Sequence, residues 1–356
     1  MRVLLNAYLQ GNLGDDLMIM ELCERYTQTH FYLVGKACYE STFGKIANIH
    51  YIKNDTRIHR WIGGVLRRLL RNQLSGYREF KLLTGRYDYC IYIGGSMFIE
   101  ADYPGKEQHD RLWLKKRPYI VGCNFGPYKN DAFYRYYSEA FSKLPGITTR
   151  EEKTKKLFEK NCRIEVAPDV VFGRKPRYCV SAGDEVIISV VASGAKIIGE
   201  EQYVNLICNM VRMASAKKLK PVLVSFCKQE GDETIISRVI SRVNVACDQL
   251  NYSGNNINEI ENRIANANCV IAGRFHSMIL AFLYQKKCLP IIYSPKMMHV
   301  LDDINFYGYT YELADRTEFS LESLENFLDD DDYFVIEQDY LERAKKQFVF
   351  VDEALS

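Results

Sequence analysis

The sequence lacks the patterns that would place it in several large classes of protein. It has no uninterrupted apolar run of membrane-spanning length, and Met1 and Arg2 lead directly into a short strand-like segment rather than a signal peptide. Lys and Arg number 47 against 45 Asp and Glu, and the resulting net charge of +2 gives no global electrostatic reason to bind nucleic acid. These absences predict a cytoplasmic protein, without a nucleic-acid partner, whose anion sites are local.

Neither the cysteines nor the histidines form a pattern that is typical of a metal site. The eleven cysteines are an odd number, scattered from Cys23 to Cys288 through apolar runs, which is typical of small buried side chains in a reducing compartment. The chain contains no CxxC pair and no His-Glu-x-x-His, and its six histidines have no metal-ligand spacing. The sequence therefore predicts no required metal and no cofactor.

The order of apolar and amphipathic segments predicts two domains. A chain of 356 residues is long for a single core, and strand-like runs alternate with helix-like runs along it, which favours parallel sheets covered on both faces. The segment from Phe172 to Asp184 is rich in turn formers and charge, so we place the domain boundary there. The predicted fold class is α/β, with two Rossmann-like doubly wound domains at 1–176 and 184–335 and a C-terminal helix at 336–356.

The most informative motif is Gly273-Arg274-Phe275-His276-Ser277, which lies between a strand-like run and a helix-like run. The first N–H groups of a helix have no intrahelical partner and carry the positive end of its dipole, so Ser277 and its neighbours predict a seat for an anion. Arg274 adds a planar donor fork suited to phosphate or carboxylate, and His276 can exchange a proton near neutral pH. The alternative is an ordinary strand-to-helix turn with a capping serine and an arginine in a surface ion pair.

A second glycine turn follows the first predicted strand. The run from Val3 to Tyr8 is apolar, Gly11-Asn12-Leu13-Gly14-Asp15-Asp16 comes directly after it, and a helical run starts at Leu17. Because open α/β sheets bind ligands at the carboxyl ends of their strands, two such turns in two halves of the chain predict two halves of one site. Asp15 and Asp16 have an alternative role, which is to cap the following helix and complement its dipole.

Three stretches together resemble the polysaccharide pyruvyl transferase family: residues 11–16, residues 92–98 with Gly94-Gly95-Ser96, and residues 273–277. Weaker matches fall between and after them in the order typical of the family. They are Gly126-Pro127, Arg150-Glu151, Pro168-Asp169 and Tyr293-Ser294-Pro295-Lys296. The resemblance covers residues 1 to about 310 and rests on the ordered combination rather than on a single motif.

The resemblance implies a GT-B-like architecture with a cleft between the domains. It also implies transfer of the pyruvyl group of phosphoenolpyruvate to sugar hydroxyls as a ketal, during the biosynthesis of cell-surface polysaccharides such as exopolysaccharide or capsule. The expected partners are phosphoenolpyruvate and a sugar acceptor, and the sequence leaves open whether a lipid diphosphate carries that sugar. A small, strongly anionic donor is what the pattern of residues 273–277 independently predicts.

The resemblance also implies roles for individual residues. The second domain is expected to hold the donor, with His276 as the general acid that protonates the methylene carbon. The residues expected to bind phosphoenolpyruvate are Arg274, Ser277, Lys296 and Arg150. The first domain is expected to hold the acceptor through Asn12, Asp15, Gly94, Gly95 and Ser96. Asp16 is the expected catalytic base, with Asp15 and Glu100 as alternatives. We assign the carboxylates to the acceptor because they would repel a trianionic donor.

Two other functions stay compatible with the same residues. A nucleotide-sugar glycosyltransferase of GT-B type would use the same architecture and a similar cationic phosphate seat. A non-catalytic sugar- or anion-binding protein of this fold would keep the seat without turnover, although the presence of both Arg274 and His276 disfavours it.

The segment from Arg57 to Lys81 has an unusual charge pattern. It contains seven Arg or Lys residues and one acid, Glu79, while apolar residues recur at helical spacing. These apolar residues are Trp61, Ile62, Val65, Leu66, Leu69 and Leu70. A basic amphipathic helix of this kind can lie on an anionic membrane, which would make the protein peripheral at the inner face of the cytoplasmic membrane. The interpretation we prefer from sequence is an outer helix whose apolar face packs on the sheet.

Overall fold

The computed structural model describes residues 1–69, 85–100, 110–111, 113–181, 183–315 and 320–355. The chain divides into two compact units. The first consists of Met1–Leu9, Asp15–Val170 and Arg343–Ser356, and the second of Gln10–Gly14 and Val171–Glu342. Each unit contains one sheet of parallel strands, so the predicted α/β class with two Rossmann-like sheets is confirmed. None of the helices in the described ranges is long and apolar enough to cross a membrane.

The sheet of the first unit has seven strands in the order β3-β2-β1-β4-β5-β6-β7. The strands are β1 (Arg2–Ala7), β2 (His30–Gly35), β3 (Ile49–Lys53), β4 (Tyr89–Ile93), β5 (Tyr119–Cys123), β6 (Ile147–Thr149) and β7 (Ile164–Val166). In the described part of this unit the helices include α1 (Leu13–Arg25), α2 (Glu40–Phe43), α3 (Arg57–Leu69), α4 (Asp131–Phe141) and α5 (Glu152–Phe158). The order reverses between β1 and β4, which is the point where doubly wound sheets bind ligands.

The sheet of the second unit repeats this order as β10-β9-β8-β11-β12-β13. Its strands are β8 (Glu185–Val190), β9 (Lys220–Ser225), β10 (Asp248–Asn251), β11 (Cys269–Ala272), β12 (Lys287–Ile292) and β13 (Tyr311–Glu312). The helices here are α6 (Ala192–Ile198), α7 (Glu200–Ala216), α8 (Asp232–Arg242), α9 (Ile257–Asn266), α10 (Phe275–Leu283), α11 (Pro295–Asp303), α12 (Leu321–Asp329) and α13 (Gln338–Ala344). The corresponding reversal lies between β8 and β11.

Continuous apolar runs explain the central strands. In β8 and β11 every residue but the first of β8 is buried, because helices cover both faces of a parallel sheet. Apolar residues at helical spacing explain α7 in the same way. Tyr203, Leu206, Ile207, Met210, Val211 and Ala214 are all buried in one core cluster with Ile188, Leu223 and Ile271. This core fixes the carboxyl ends of β8, β9 and β11, where the polar residues of the second unit lie.

The C-terminal segment is built into the first unit. Gln347 is fully buried, and its amide accepts from the Gly122 N–H at 3.1 Å and donates to the carbonyls of Thr149 and Ala167 at 3.1 and 2.7 Å. The last helix, α14 (Val349–Leu355), adds a bidentate ion pair in which the Arg25 guanidinium donates to Asp352 at 2.9 and 2.7 Å. Every polar atom of the Gln347 amide therefore finds a partner, as burial requires.

The turn-rich segment after Val171 is less solvated than its composition indicates. Arg174 lies in it, yet its guanidinium is buried against the Glu261 carboxylate at 3.2 Å, and both side chains are 1% exposed. A buried charge needs such a partner because the loss of water is otherwise too costly. Arg174, one of the charges that mark this segment in the sequence, therefore binds the segment to the second unit through Glu261.

Candidate functional site

Residues 273–277 lie at the point where the strand order of the second unit reverses. β11 ends at Ala272, the Gly273 N–H donates to the Ser189 carbonyl at 3.1 Å, and α10 begins at Phe275 with Arg274 as its extended N-cap residue. A Cβ at Gly273 would run into that Ser189 carbonyl, so only glycine fits this turn. The geometry explains why a glycine separates the strand from the helix, and it directs the Arg274 backbone to the carboxyl end of the sheet.

The Arg274 guanidinium is bound by two carboxylates. Its Nε donates to Asp232 Oδ2 at 2.9 Å, its Nη2 donates to Asp232 Oδ1, and its Nη1 donates to Glu230 Oε2 at 2.5 Å. Asp232 is fully buried and also accepts from the backbone N–H groups of Ala192 and Cys227, at 3.0 and 3.1 Å. Arg274 was predicted to present its fork to a ligand, whereas in this structure all three of its nitrogens donate to protein carboxylates.

The two carboxylates differ in environment. Burial raises the pKa of the Asp232 carboxyl above its ordinary value, against the opposing effect of Arg274. Burial also acts to raise the pKa of Glu230, but Arg274, Asn12 and Lys296 outweigh it and hold that pKa below its ordinary value. The Glu230 side chain is partly exposed while Asp232 is sealed from water. Asp232 is therefore the fixed anchor of Arg274, and Glu230 is the partner that solvent and ligands can reach.

The first glycine turn meets this cluster inside the second unit. The Leu13 N–H donates to the Phe226 carbonyl at 3.1 Å, and Asn12 Nδ2 donates to Glu230 Oε1 at 3.4 Å. Asn12 Oδ1 in turn accepts from the Gly14 N–H at 3.1 Å. The structure thus brings Asn12 together with Glu230 and, through it, with Arg274.

Gly14 lies directly against His276. A Cβ built on Gly14 would overlap the imidazole ring at Nδ1, Cγ and Cε1, so the contact depends on the absence of a side chain. His276 itself is half-buried and packs edge-on against Phe275, with the ring centroids 5.0 Å apart. The imidazole is therefore held between Phe275 and the backbone of the Gly14 turn.

We expect Gly14→Ala to lower turnover by about 10- to 100-fold, because catalytic groups displaced by about 1 Å lose activity on that scale. The protein should stay folded, since alanine favours the first turn of α1 by up to about 1 kcal/mol relative to glycine. Steady-state kinetics and thermal melting measure the two effects. Gly64→Ala is the matched control, because a Cβ there meets no atom within 4 Å. Unchanged turnover in Gly14→Ala would mean that activity does not depend on the position of the ring.

Lys296 supplies a second cation to the cluster. It is the second residue of α11, and its ammonium lies 4.9 Å from the centroid of the Phe275 ring and 5.6 Å from that of Tyr293. Within the described ranges this ammonium makes no hydrogen bond or ion pair, although it is close enough to Glu230 to lower its pKa. A half-buried cation held over two aromatic rings is available to an anion.

Ser277 lies in the first turn of α10. Its hydroxyl is bonded to Ser189 Oγ at 2.5 Å and donates to the Arg274 carbonyl at 2.6 Å, and its N–H donates to that same carbonyl at 3.1 Å. The side chain is fully buried. Its predicted place in donor binding remains a prediction, and the contacts favour a role in shaping the turn.

The other predicted donor ligand, Arg150, lies in the first unit. Its Nε donates to Asn124 Oδ1 at 2.8 Å and its Nη1 donates to Asp169 Oδ2 at 2.5 Å, and the side chain is buried. A Cβ at Gly95 would overlap the guanidinium, so this glycine admits the arginine. Within the first unit, the structure therefore groups Arg150 with the glycine turn after β4, and its place in donor binding stays a prediction.

The predicted acceptor residues of the first unit differ in exposure. Ser96 is exposed, and Gly94 has φ +151°, a conformation that favours glycine. Asp15 and Asp16 occupy the first turn of α1, where they complement the helix dipole. Asp15 is half-buried, whereas Asp16 is fully buried. The role of Asp16 as catalytic base stays a prediction that its burial disfavours.

Sequence reasoning missed Glu230 and Asp232. They follow the buried strand β9 in the turn Gln229-Glu230-Gly231-Asp232, with Gly231 at φ +97°. This is a third glycine turn at the carboxyl end of a strand, so the rule that singled out the other two turns applies to it as well. The signal was present, but a turn with two acids is also typical of solvated loops.

The chain matches the family model described as polysaccharide pyruvyl transferase over residues 4–295. It belongs to that family. The matched range contains the three stretches that carry the resemblance and most of both sheets, and it ends one residue before Lys296.

One curated protein is similar to this chain over part of its length. The amylovoran biosynthesis protein AmsJ of Erwinia amylovora is 21% identical over 256 residues, which are 64% of this chain and 62% of AmsJ. The match thus spans less than two thirds of the length of AmsJ.

Solved structures show the shared fold. The UDP-GlcNAc 2-epimerase of Methanocaldococcus jannaschii has a TM-score of 0.55 at 11% identity, covering 98% of this chain and 99% of the epimerase. Anabaena Alr3699/HepE, solved in complex with UDP and glucose, has a TM-score of 0.54 at 11% identity, covering 100% and 99%. At these identities the likeness concerns the fold alone, and it confirms the predicted two-domain, Rossmann-like GT-B class.

Proposed function

We propose that this protein transfers the pyruvyl group of phosphoenolpyruvate to two hydroxyls of one sugar, as a ketal. The observation that carries the proposal is Lys296, a half-buried ammonium over the Phe275 ring with no hydrogen bond or ion pair to a described residue, while His276 follows Phe275 in the chain. A small anionic donor fits that combination, because it supplies the missing charge and needs a proton at a carbon atom. Family membership supports the same reaction class.

Glu230 is the group that the donor would displace. It is the partly exposed partner of Arg274, whereas Asp232 is buried and also held by two backbone N–H groups. An incoming carboxylate or phosphate would replace Glu230 at Nη1 of Arg274, while Asp232 keeps the guanidinium in place. Lys296 would take the second anionic group. One arginine against two carboxylates has no positive charge to spare, so the proposal requires both Lys296 and the displacement of Glu230.

The proposed chemistry begins with a proton. The His276 imidazolium gives its proton to the methylene carbon of phosphoenolpyruvate, and the neighbouring carbon becomes electrophilic. A first sugar hydroxyl adds to that carbon and loses its proton, and phosphate leaves with the electron pair of the broken C–O bond. A second hydroxyl of the same sugar then adds and loses its proton, which closes the ketal. Of the two hydroxyl protons, one restores the proton that His276 gave and the other leaves with phosphate.

The acceptor sugar is proposed to bind residues that retain exposed surface or lie beside Glu230. Asn12 is placed beside Glu230, and Ser96 and Asp15 retain exposed surface, so these residues and Gly94 and Gly95 stay our proposed acceptor ligands. A sugar carried on a lipid diphosphate is part of this proposal. Asp16 is fully buried, so His276 and the leaving phosphate, rather than Asp16, are the proposed acceptors of the two hydroxyl protons.

The deciding experiment incubates the protein with phosphoenolpyruvate and a panel of aryl and lipid-linked glycosides, and follows phosphate release and product mass. We expect phosphate release that depends on the sugar, and a product heavier by one pyruvate minus one water. Turnover with nucleotide sugars and none with phosphoenolpyruvate would establish the glycosyltransferase instead. Stabilisation by phosphoenolpyruvate without any turnover would establish the non-catalytic binding protein.

Lys296→Gln tests the donor seat. We expect it to weaken binding of phosphoenolpyruvate by about 10- to 100-fold, since a hydrogen bond to a charged group contributes about 1.5–3 kcal/mol. Isothermal calorimetry measures the change directly. Lys220→Gln is the matched control. Lys220 is the first residue of β9, at the end of the strand away from Glu230 and Asp232, and it pairs with Asp184 at the surface. Equal donor affinity in wild type and Lys296→Gln would remove Lys296 from the donor seat.

A further inference from the structure

Helix α3 (Arg57–Leu69) exposes apolar side chains of the first unit. Trp61 is 71% exposed, Ile58 is 69% exposed and Val65 is 38% exposed. Their spacing of three and four residues puts them on one face of the helix. The preferred expectation from sequence, that this apolar face packs on the sheet, is wrong for Trp61 and Val65. The other tryptophan of the chain, Trp113, is 1% exposed, as an ordinary core residue would be.

The same helix is basic. Between Arg57 and Leu69 the sequence has four arginines and no acid. Arg57 and Arg60 are exposed, and neither forms an ion pair with any residue in the ranges that the structure describes. Surface arginines elsewhere in the chain commonly have carboxylate partners, as Arg25 and Arg163 do in the first unit. α3 therefore combines an exposed apolar stripe with positive charge that the described part of the protein does not neutralise. The rest of the basic segment, from 70 to 81, lies outside the described residues.

We propose that α3 is a docking surface for an anionic lipid leaflet. Tryptophan favours the interface between membrane and water, and a helix with an apolar stripe and basic flanks lies in that interface with its stripe towards the acyl chains. Arg57 and Arg60 would meet the negative headgroups. This proposal does not depend on the pyruvyl transfer proposed above. If the acceptor is lipid-linked, the docked helix also explains how the protein reaches it.

Charge disfavours a second copy of the chain as the occupant. A symmetric contact through this face would bring two acid-free basic helices together, and like charges at an interface repel. A lipid leaflet avoids this repulsion, because its headgroups carry negative charge. Its acyl chains can also cover the apolar side chains of α3. We therefore take the leaflet as the occupant, and the experiment below discriminates it from a second copy.

The test uses the full chain and vesicles of phosphatidylcholine, with and without phosphatidylglycerol. We expect binding to the anionic vesicles that weakens with salt, together with a blue shift of tryptophan emission. Trp61→Phe should remove the shift, because Trp113 is already buried. Arg57→Gln with Arg60→Gln should weaken binding roughly 30-fold, from about 1 kcal/mol for each charge near the surface. Trp61→Ser with Ile58→Ser should weaken it at least tenfold, since two exposed apolar side chains leave the membrane.

Matched controls separate docking from folding and from catalysis. Tyr307→Ser removes an exposed aromatic side chain of the second unit, and Arg135→Gln removes an exposed arginine of α4. Both should bind vesicles like wild type, and every variant should keep its melting temperature and its turnover on a water-soluble acceptor. No binding to anionic vesicles would overturn the proposal. So would self-association that Trp61→Ser abolishes in the absence of lipid binding, which would make a second copy the occupant.

Discussion

His276→Gln is expected to lower kcat by about 10²- to 10⁴-fold, the usual contribution of a general acid. Glutamine keeps a similar size and hydrogen-bonding capacity, but it cannot deliver a proton to the methylene carbon. Its side chain can occupy the space between Phe275 and Gly14, so the donor seat formed by Arg274 and Lys296 stays intact. The affinity for phosphoenolpyruvate should therefore change by no more than a few-fold, which calorimetry can show.

The control for this prediction is the same substitution at an exposed histidine. His50→Gln removes the imidazole that pairs with His30 at 3.0 Å in the first unit, and it should leave kcat unchanged. Turnover of both variants is measured on one acceptor at saturating phosphoenolpyruvate. If His276→Gln kept most of its kcat, the proton would have to come from another residue or from water. If donor affinity collapsed together with kcat, His276 would be a binding residue rather than the acid.

The sheets could be read from the sequence wherever a strand is buried on both faces. β8 and β11 are continuous apolar runs because helices cover them on either side, and such runs are visible without long-range information. The strand Asp248–Asn251 was missed for the opposite reason. It is an edge strand in which only Leu250 is buried, so neither an apolar run nor alternation marks it. Its register comes from pairing with β9, which a local pattern does not contain.

The site could be located from the sequence, but its charge balance could not. Glycine turns at strand ends follow from local pattern, and two of them, at residues 12–14 and 273–276, do meet. What local pattern does not contain is which carboxylates face an arginine. Asp232 and Arg274 are 42 residues apart in the chain, and only the adjacency of β9, β8 and β11 brings them together.

This pairing alters what Arg274 does. The sequence predicts an arginine that contacts the donor directly, whereas the structure has one that Asp232 holds in place and that Glu230 covers. A positioning arginine of this kind still fixes the direction of Nη1, and the energy of its buried pair contributes to the fold as well as to the site. The same reasoning applies to Ser277, whose bonds to Ser189 and to the Arg274 carbonyl tie the turn to β8.

We expect Arg274→Met to destabilise the second unit by about 3–5 kcal/mol, the usual result of removing one partner from a buried ion pair. Methionine fills a similar space but leaves the Asp232 carboxylate buried with two backbone N–H donors. Burial already raises the pKa of Asp232, and loss of the arginine raises it further. An acid whose pKa is higher in the folded state destabilises the fold as pH rises. The deficit should therefore shrink as pH falls through the folded-state pKa of Asp232. This loss of stability is measured at several pH values by urea unfolding, with hydrogen exchange of the β8 and β11 amides as the readout.

An exposed bidentate pair in the same unit provides the control. Arg242 donates to both oxygens of Glu201 at 2.5 and 2.8 Å, but both side chains face solvent. Arg242→Met should therefore lower the free energy of unfolding by no more than about 1 kcal/mol.

A double variant that combines Arg274→Met with Asp232→Asn tests the coupling between the two residues. Its loss in the free energy of unfolding should be smaller than the sum of the two single losses by about 1–3 kcal/mol, because residues in direct contact do not act additively. Strict additivity would show that Arg274 and Asp232 do not stabilise each other, and the anchoring role of Asp232 would then be wrong.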